Sequence, residues 1–112
     1  MKIPYAKLFW ACVAGVLVLS LLPVPEQLPS TGWDKSNHLL GFGVLAFLGG
    51  LAYPRQTLPV LAGLLAYGAL IEVLQAMTPH RYAEWGDLLA DALGVAVGHL
   101  ALRLGSFLIR KR

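Results

Sequence analysis

Four apolar stretches dominate the sequence, and each is close to the length of a helix that crosses a membrane. A helix needs roughly 20 apolar residues to span about 30 Å of hydrocarbon. The stretches cover residues 5–22, 36–53, 57–77 and 87–109. Prolines, which break helices, separate them: Pro23, Pro25 and Pro29 in the first connection, Pro54 in the second and Pro79 in the third. The sequence therefore predicts an all-α fold: a membrane-embedded bundle of four short transmembrane helices, one domain over residues 1–112.

The charge content excludes an ordinary soluble domain. Only 13% of the residues are charged and 57% are hydrophobic, whereas soluble domains carry about 25% charged residues. A small soluble chain has a large relative surface to cover with polar side chains, so the lipid bilayer is the expected partner here. Nucleic acid is not expected, because the basic residues form no stripe with interleaved aromatic residues.

Lysine and arginine are distributed unequally between the two ends of the predicted helices. If the N-terminus is cytoplasmic, seven of the nine basic residues lie at or near the cytoplasmic side and two lie outside. The seven are Lys2, Lys7, Arg55, Arg103, Arg110, Lys111 and Arg112; the two are Lys35 and Arg81. Because cytoplasmic loops of membrane proteins are rich in lysine and arginine, we expect both termini to be cytoplasmic.

The N-terminal segment resembles a signal peptide, since Lys2 and Lys7 precede an apolar run. No clean small-x-small cleavage site follows Leu22, and a proline-rich segment comes instead. We therefore expect this segment to be retained as the first transmembrane helix.

Polar residues of three predicted helices fall at one depth near the outer boundary. They form pairs about one helical turn apart, each on one helix face: Asp34 with His38, Glu72 with Gln75, and Asp87 with Asp91. With a rise of 1.5 Å per residue, His38, Glu72 and Asp91 each lie about 6 Å inside the boundary. His80 and Arg81, in the outer connection, are within reach of this layer. The coincidence predicts that these groups face one another or water, because ionisable residues facing lipid are costly.

A functional interpretation treats this layer as a site at the extracytoplasmic face. Glu72, His38 and Asp87 are then candidates for general acid and base, because a desolvated carboxylate can titrate nearer neutral pH. Arg81 and Lys35 would hold a phosphate or carboxylate. The candidate ligand-binding residues are Lys35, Arg81, Asp34, Gln75 and Asp91. Whether a reaction is catalysed stays undecided, because no nucleophile motif and no phosphate-binding loop is present.

A structural interpretation remains open beside it. Asp34, Glu84 and Asp87 near helix starts are typical of helix caps and dipole partners. Glu72 paired with Arg81 or Lys35 would lock helices together. No metal site and no cofactor are expected, because no recognised spacing of metal ligands occurs in the sequence.

Small residues predict close helix packing within the chain. Gly94 and Gly98 form a small-xxx-small pair, and the second helix carries Gly41, Gly43, Gly49 and Gly50. Internal packing is favoured over dimerisation. His99, well inside the fourth predicted helix, is expected to be a packed or hydrogen-bonded core residue.

Ordered motifs run from Asp34 to Gly98. They are Asp34-Lys35-x-x-His38-x-x-x-Phe42, Glu72-x-x-Gln75, Pro79-x-Arg81 and Asp87-Leu88-x-Ala90-Asp91-x-x-Gly94-x-x-x-Gly98. The set resembles the VanZ-like family of bacterial membrane proteins and covers most of the chain. The chain departs from the family pattern at Asp91, where members often have asparagine, so both a neutral and a charged group remain open at this position.

The resemblance implies a multi-pass protein of the bacterial inner (plasma) membrane, and for the family's namesake a link to teicoplanin resistance. It implies no particular reaction. The expected function is therefore binding, with processing as a further option, of a cell-envelope lipid or precursor or of a glycopeptide-related ligand. The alternative is a non-catalytic structural or accessory protein in which the polar cluster is a helix-locking ion-pair network. An oligomer is compatible with either function.

Overall fold

The fold of the described residues consists of four α-helices and contains no strand. The computed structural model describes residues 4–21, 35–77 and 85–110, without the side chains of residues 35, 36, 85 and 110. The helices are α1 (Tyr5–Leu21), α2 (Lys35–Ala52), α3 (Thr57–Ala76) and α4 (Trp85–Arg110). All bounds agree with the predicted stretches to within two residues, so the all-α prediction is confirmed.

Two of the helices are long and apolar enough to cross a membrane. Thr57–Ala76 has a mean hydropathy of 1.8 and Gly86–Ile109 one of 1.7. The helices α1 and α2 are also apolar but shorter. Large apolar side chains are exposed around the bundle, for example Leu58 at 76% and Leu100 at 64%. Exposed apolar surface on this scale is typical of contact with lipid or with a partner.

The helices alternate in direction, which gives the bundle two distinct ends. The upper end is where α1 and α3 finish and α2 and α4 begin; the lower end is the opposite one. At the lower end α2 stops at Ala52, because Pro54 disfavours helical geometry at the residue before it. A tight turn follows, in which the Gln56 N–H donates to the Tyr53 carbonyl at 3.0 Å.

Glycines bring α2 and α4 into backbone contact, and this is the most extensive helix pair. A Cβ atom on Gly94 would lie 2.3 Å from the Leu39 carbonyl oxygen, and one on Gly98 would lie 2.1 Å from the Gly43 carbonyl oxygen. No larger residue fits at either position without moving a helix. The predicted internal packing of Gly94 and Gly98 is thus confirmed, and we call these contacts the glycine seam.

The helices α1 and α3 pack around this pair through the apolar core. Phe42, Leu45 and Ile71 are fully buried at its centre. The Tyr67 ring lies over the Phe42 ring, with centroids 5.9 Å apart. The Tyr67 hydroxyl also donates to the backbone carbonyl of Val13, which ties α3 to α1.

Aromatic residues gather at the lower end. The Trp10 indole N–H donates to the Tyr53 hydroxyl at 2.9 Å. The Phe9 ring packs edge-on against both, with centroid distances of 5.1 Å to Trp10 and 6.1 Å to Tyr53. Amphipathic rings at the end of an apolar helix are typical of a membrane–water interface.

Candidate functional site

A buried histidine–carboxylate pair links α2 to α4 near the upper end. The His38 Nδ1 atom lies 2.8 Å from the Asp91 Oδ1 atom, and both side chains are 0% exposed. The glycine seam explains how they meet, because Gly94 packs on the carbonyl group of Leu39. His38 directly precedes Leu39 in α2, and Asp91 lies three residues before Gly94 in α4. The backbones are therefore close where the two polar side chains face each other.

Glu72 of α3 joins this pair. One potential ligand atom of each of His38, Glu72 and Asp91 lies within 4.8 Å of those of the other two. Glu72 is only partly buried, so the group is not sealed on all sides. The prediction that these three residues face one another is confirmed, and we call them the polar cluster. Their predicted roles in acid–base chemistry or ligand binding stay predictions.

Gly68 makes room for the cluster on α3. A Cβ atom at this position would lie 2.8 Å from Asp91 Oδ2 and 3.3 Å from the Asp91 Cβ atom. Gly68 and Glu72 are four residues apart, hence on one face of α3. The missing side chain of Gly68 admits the Asp91 carboxyl group, and Glu72 lies one turn further toward the upper end. Gly68 was not among the residues predicted from the sequence, although its spacing from Glu72 points to it.

Gln75 ties α3 to α1 beside the cluster. It is 2% exposed, and its Nε2–H donates to the backbone carbonyl of Ser20 at 2.8 Å. Carbonyl groups in the last turn of a helix have no partner within the helix, and Ser20 lies in the last turn of α1. Gln75 therefore caps α1 from a neighbouring helix, while its predicted contact with a ligand stays a prediction. Ser20 was missed because a single serine in an apolar run carries no pattern.

Of the remaining candidate residues, only Asp87 has a described side chain. Asp87 is partly buried in the first turn of α4, one turn above Asp91. Among the described residues it is not one of the three whose ligand atoms converge. Asp34, Arg81 and the Lys35 side chain lie outside the described residues, as do His80 and Glu84.

The charges of the cluster determine what it can do chemically. With both carboxyl groups ionised, the three side chains carry a negative net charge whether or not the imidazole is protonated. Like charges close together in a medium of low dielectric constant disfavour each other strongly. The cluster is therefore suited to hold protons, to bind a cation, or to accept hydrogen bonds from a polar group that enters from the side of Glu72.

A second polar region lies at the lower end, around His99. This residue is partly buried and lines a cavity of about 500 Å³ between α2, α3 and α4. Arg103, Thr57 and Ser106 also line the cavity. His99 therefore borders an open space instead of lying wholly within the packed core.

Comparison with known proteins identifies the family of the chain. The family model described as VanZ/LLP1 matches residues 5–108. None of the curated proteins matches significantly, and neither does any solved structure. The match extends over all four helices and includes the whole polar cluster.

Proposed function

Because the chain belongs to the VanZ/LLP1 family, we propose that it is a multi-pass protein of the bacterial inner membrane that binds an envelope lipid or its precursor. All four helices cross the membrane, both termini are cytoplasmic, and the upper end is the extracytoplasmic face. The observation that carries the binding proposal is the polar cluster, in which three helices bring ionisable groups within 4.8 Å of one another at that end.

The apolar surface of the helices supports the membrane arrangement. Exposed residues on α1 and α2, such as Val18 at 57% and Leu40 at 68%, are as apolar as those on the two longer helices. A helix of 17 or 18 residues is about 26 Å long. It crosses a bilayer when its tilt is small or when the bilayer thins locally, at a cost of fractions of a kcal/mol per Å of mismatch.

The burial pattern of the cluster supports ligand binding from one side. His38 and Asp91 are fully buried, whereas Glu72 is partly exposed. Glu72 therefore offers a carboxylate to donor groups of a lipid head group, such as hydroxyls or amines. Lys35, the first residue of α2, and Arg81, in the sequence between α3 and α4, would hold its phosphate. The proposal is one of binding; acid–base chemistry by Glu72, His38 and Asp87 would be an addition to it.

Lipid analysis of purified variants tests this proposal. The wild type, Glu72→Gln and Asp87→Asn are purified in mild detergent, and co-purifying lipids are identified by mass spectrometry. Arg103→Gln, at the lower end, is the matched control because it also removes one charge. We expect the two upper-end variants to remain folded and to lose an anionic envelope lipid that the wild type and the control retain. If all four proteins carry the same lipids, the binding proposal is wrong.

Two hydrogen bonds favour a second candidate function, that of an accessory protein whose polar residues lock the helices. His38 with Asp91 joins α2 to α4, and Gln75 with Ser20 joins α3 to α1. Under this function the cluster has no ligand, and its loss lowers stability alone. Glu72→Gln and Asp87→Asn would then melt at clearly lower temperatures with unchanged lipids, which separates the two candidates in the same experiment.

A further inference from the structure

We propose that His38, Glu72 and Asp91 hold a divalent transition-metal ion, with Zn²⁺ as the probe of choice. The three residues come from three different helices, and each offers one ligand atom within 4.8 Å of the others. The metal site is independent of lipid binding. Only the contact between the ion and the phosphate of a bound lipid rests on the proposed function.

The distances suit one ion after small side-chain rotations. Ligand atoms at about 2.0–2.2 Å from a zinc ion lie about 3.3 Å apart in tetrahedral geometry. His38 Nδ1 and Asp91 Oδ1, at 2.8 Å, are already closer than this. The three ligand atoms lie within 4.8 Å of one another, so the largest separation exceeds the tetrahedral value by at most about 1.5 Å. A rotation of the Glu72 side chain can remove this excess, because the side chain is long and only partly buried.

One buried oxygen points independently to a ligand. Asp91 is fully buried, and its Oδ2 atom has no hydrogen-bond partner among the described residues. A buried carboxylate oxygen without a donor costs about 1–3 kcal/mol or more, and such atoms in native proteins often mark a water or an ion. Gly68 keeps the space beside this oxygen clear of a side chain.

Charge favours a divalent cation in particular. With a neutral imidazole the three side chains carry two negative charges, and metal ligands bind in their deprotonated forms. A cation of charge +2 therefore neutralises the set, whereas a single proton leaves one negative charge in a medium of low dielectric constant. The imidazole selects transition metals over magnesium and calcium, which prefer oxygen ligands alone.

The ligand number leaves room for an exogenous group. Three protein ligands with an open fourth position are typical of zinc sites that bind water or a substrate oxygen. On the partly exposed side of Glu72, that position would accept a phosphate oxygen of the proposed lipid.

Sequence spacing cannot reveal such a site. The expectation of no metal rested on the lack of a recognised ligand motif within one segment, but here each ligand belongs to a different helix. The metal proposal is therefore the opposite prediction, and both are decided by the same measurement.

Metal analysis of the whole chain tests the proposal. The protein is purified in mild detergent without a polyhistidine tag or chelator, and bound metals are measured by inductively coupled plasma mass spectrometry. After treatment with EDTA, Zn²⁺ is added back and binding and melting temperature are measured. We expect about one ion per chain and a higher melting temperature with Zn²⁺, because a ligand that binds only the folded state stabilises it.

Variants assign the ion to the cluster. Asp91→Asn keeps an oxygen for the His38 hydrogen bond, and we expect it to remain folded with an affinity at least about tenfold lower. Glu72→Gln should lose affinity as well. His99→Gln is the matched control, because it removes the other histidine of the described helices, and it should bind as the wild type does. Co²⁺ absorption of the wild type gives a measure of tetrahedral coordination that does not depend on any variant.

The outcomes separate this inference from the proposed function. No metal in the wild type and no effect of added Zn²⁺ would overturn the metal site, as would equal Zn²⁺ binding by Asp91→Asn. Lipid that co-purifies with EDTA-treated, metal-free protein leaves the proposed function standing alone. Metal that binds at the cluster while no lipid is retained supports the site and contradicts the proposed function.

Discussion

The upper and lower ends of the bundle each hold a histidine, but the two surroundings differ in packing and charge. His38 is fully buried and bonded to a carboxylate on another helix at 2.8 Å. His99 is partly buried and lines a cavity of about 500 Å³ together with Arg103. At the upper end the polar contacts are themselves helix–helix contacts. At the lower end the polar side chains line an open cavity instead of packing between helices.

This difference indicates which polar residues contribute both to helix packing and to ligand binding. Acids with one histidine form the upper cluster, whereas basic and hydroxyl side chains line the lower cavity. A substitution at the upper end should therefore change stability and ligand binding together. A matched substitution at the lower end should change stability little.

Asp91→Ala is expected to have the largest effect on stability. It leaves the buried His38 ring without its hydrogen-bond partner and opens a cavity beside Gly68, and the two losses together should cost about 3–5 kcal/mol. Reversible unfolding by SDS in mixed micelles measures the change. His99→Ala is the lower-end counterpart, with an expected loss below about 1 kcal/mol. A loss near 0.6 kcal/mol for Asp91→Ala, the average for hydrogen bonds between membrane helices, would mean that the pair is not the structural anchor described here.

Gly98→Ala follows, with an expected loss of about 3 kcal/mol. The added Cβ atom would lie 2.1 Å from the Gly43 carbonyl oxygen and 3.0 Å from the Ala46 Cβ atom. Because backbone cannot rotate away, α2 and α4 must separate, which is costly overpacking. The same unfolding assay measures the effect.

Gly105→Ala is the control on the same helix, since a Cβ atom there meets nothing within 4 Å. It should be neutral or stabilise the helix by up to about 1 kcal/mol. Equal effects of Gly98→Ala and Gly105→Ala on the free energy of unfolding would show that the glycine seam does not require a glycine at position 98.

Much of this architecture was predictable because it depends on spacing along one helix at a time. Span lengths and prolines fixed the helix bounds to within two residues, as for α3 (Thr57–Ala76). The rise per residue predicted the common depth of His38, Glu72 and Asp91, and the small-xxx-small spacing predicted the role of Gly94 and Gly98.

The rotation of each helix about its own axis was not predictable in this way. It decides that His38 bonds to Asp91 and that Gln75 bonds to the Ser20 carbonyl. Rotation follows from packing across helices, which involves contacts such as that between Gly68 and the Asp91 carboxyl group. A single sequence carries no periodic pattern for contacts of this kind, so neither Gly68 nor Ser20 was identified.

Gly68→Ala is expected to cost about 1–2 kcal/mol, less than Gly98→Ala. Its Cβ atom would lie 2.8 Å from Asp91 Oδ2, and a side chain moves more easily than backbone. The displaced carboxyl group should also bind Zn²⁺ more weakly. Gly63→Ala, in the part of α3 nearer the lower end, meets nothing within 4 Å and is the control. Unchanged Zn²⁺ affinity in a destabilised Gly68→Ala protein would separate the packing role of Gly68 from any role in the site.

Trp10→Phe should have the smallest effect, because it changes an exposed contact at the lower end. It removes the indole N–H that donates to the Tyr53 hydroxyl at 2.9 Å but keeps an aromatic ring beside Phe9. A hydrogen bond that water can replace contributes about 0.5 kcal/mol or less, so the unfolding free energy should fall by no more than that. Gln75→Leu, which leaves the Ser20 carbonyl without its buried donor, should cost about 1–3 kcal/mol. If Trp10→Phe is the more damaging of the two, the lower end anchors the helices as firmly as the upper end, and the contrast between the ends fails.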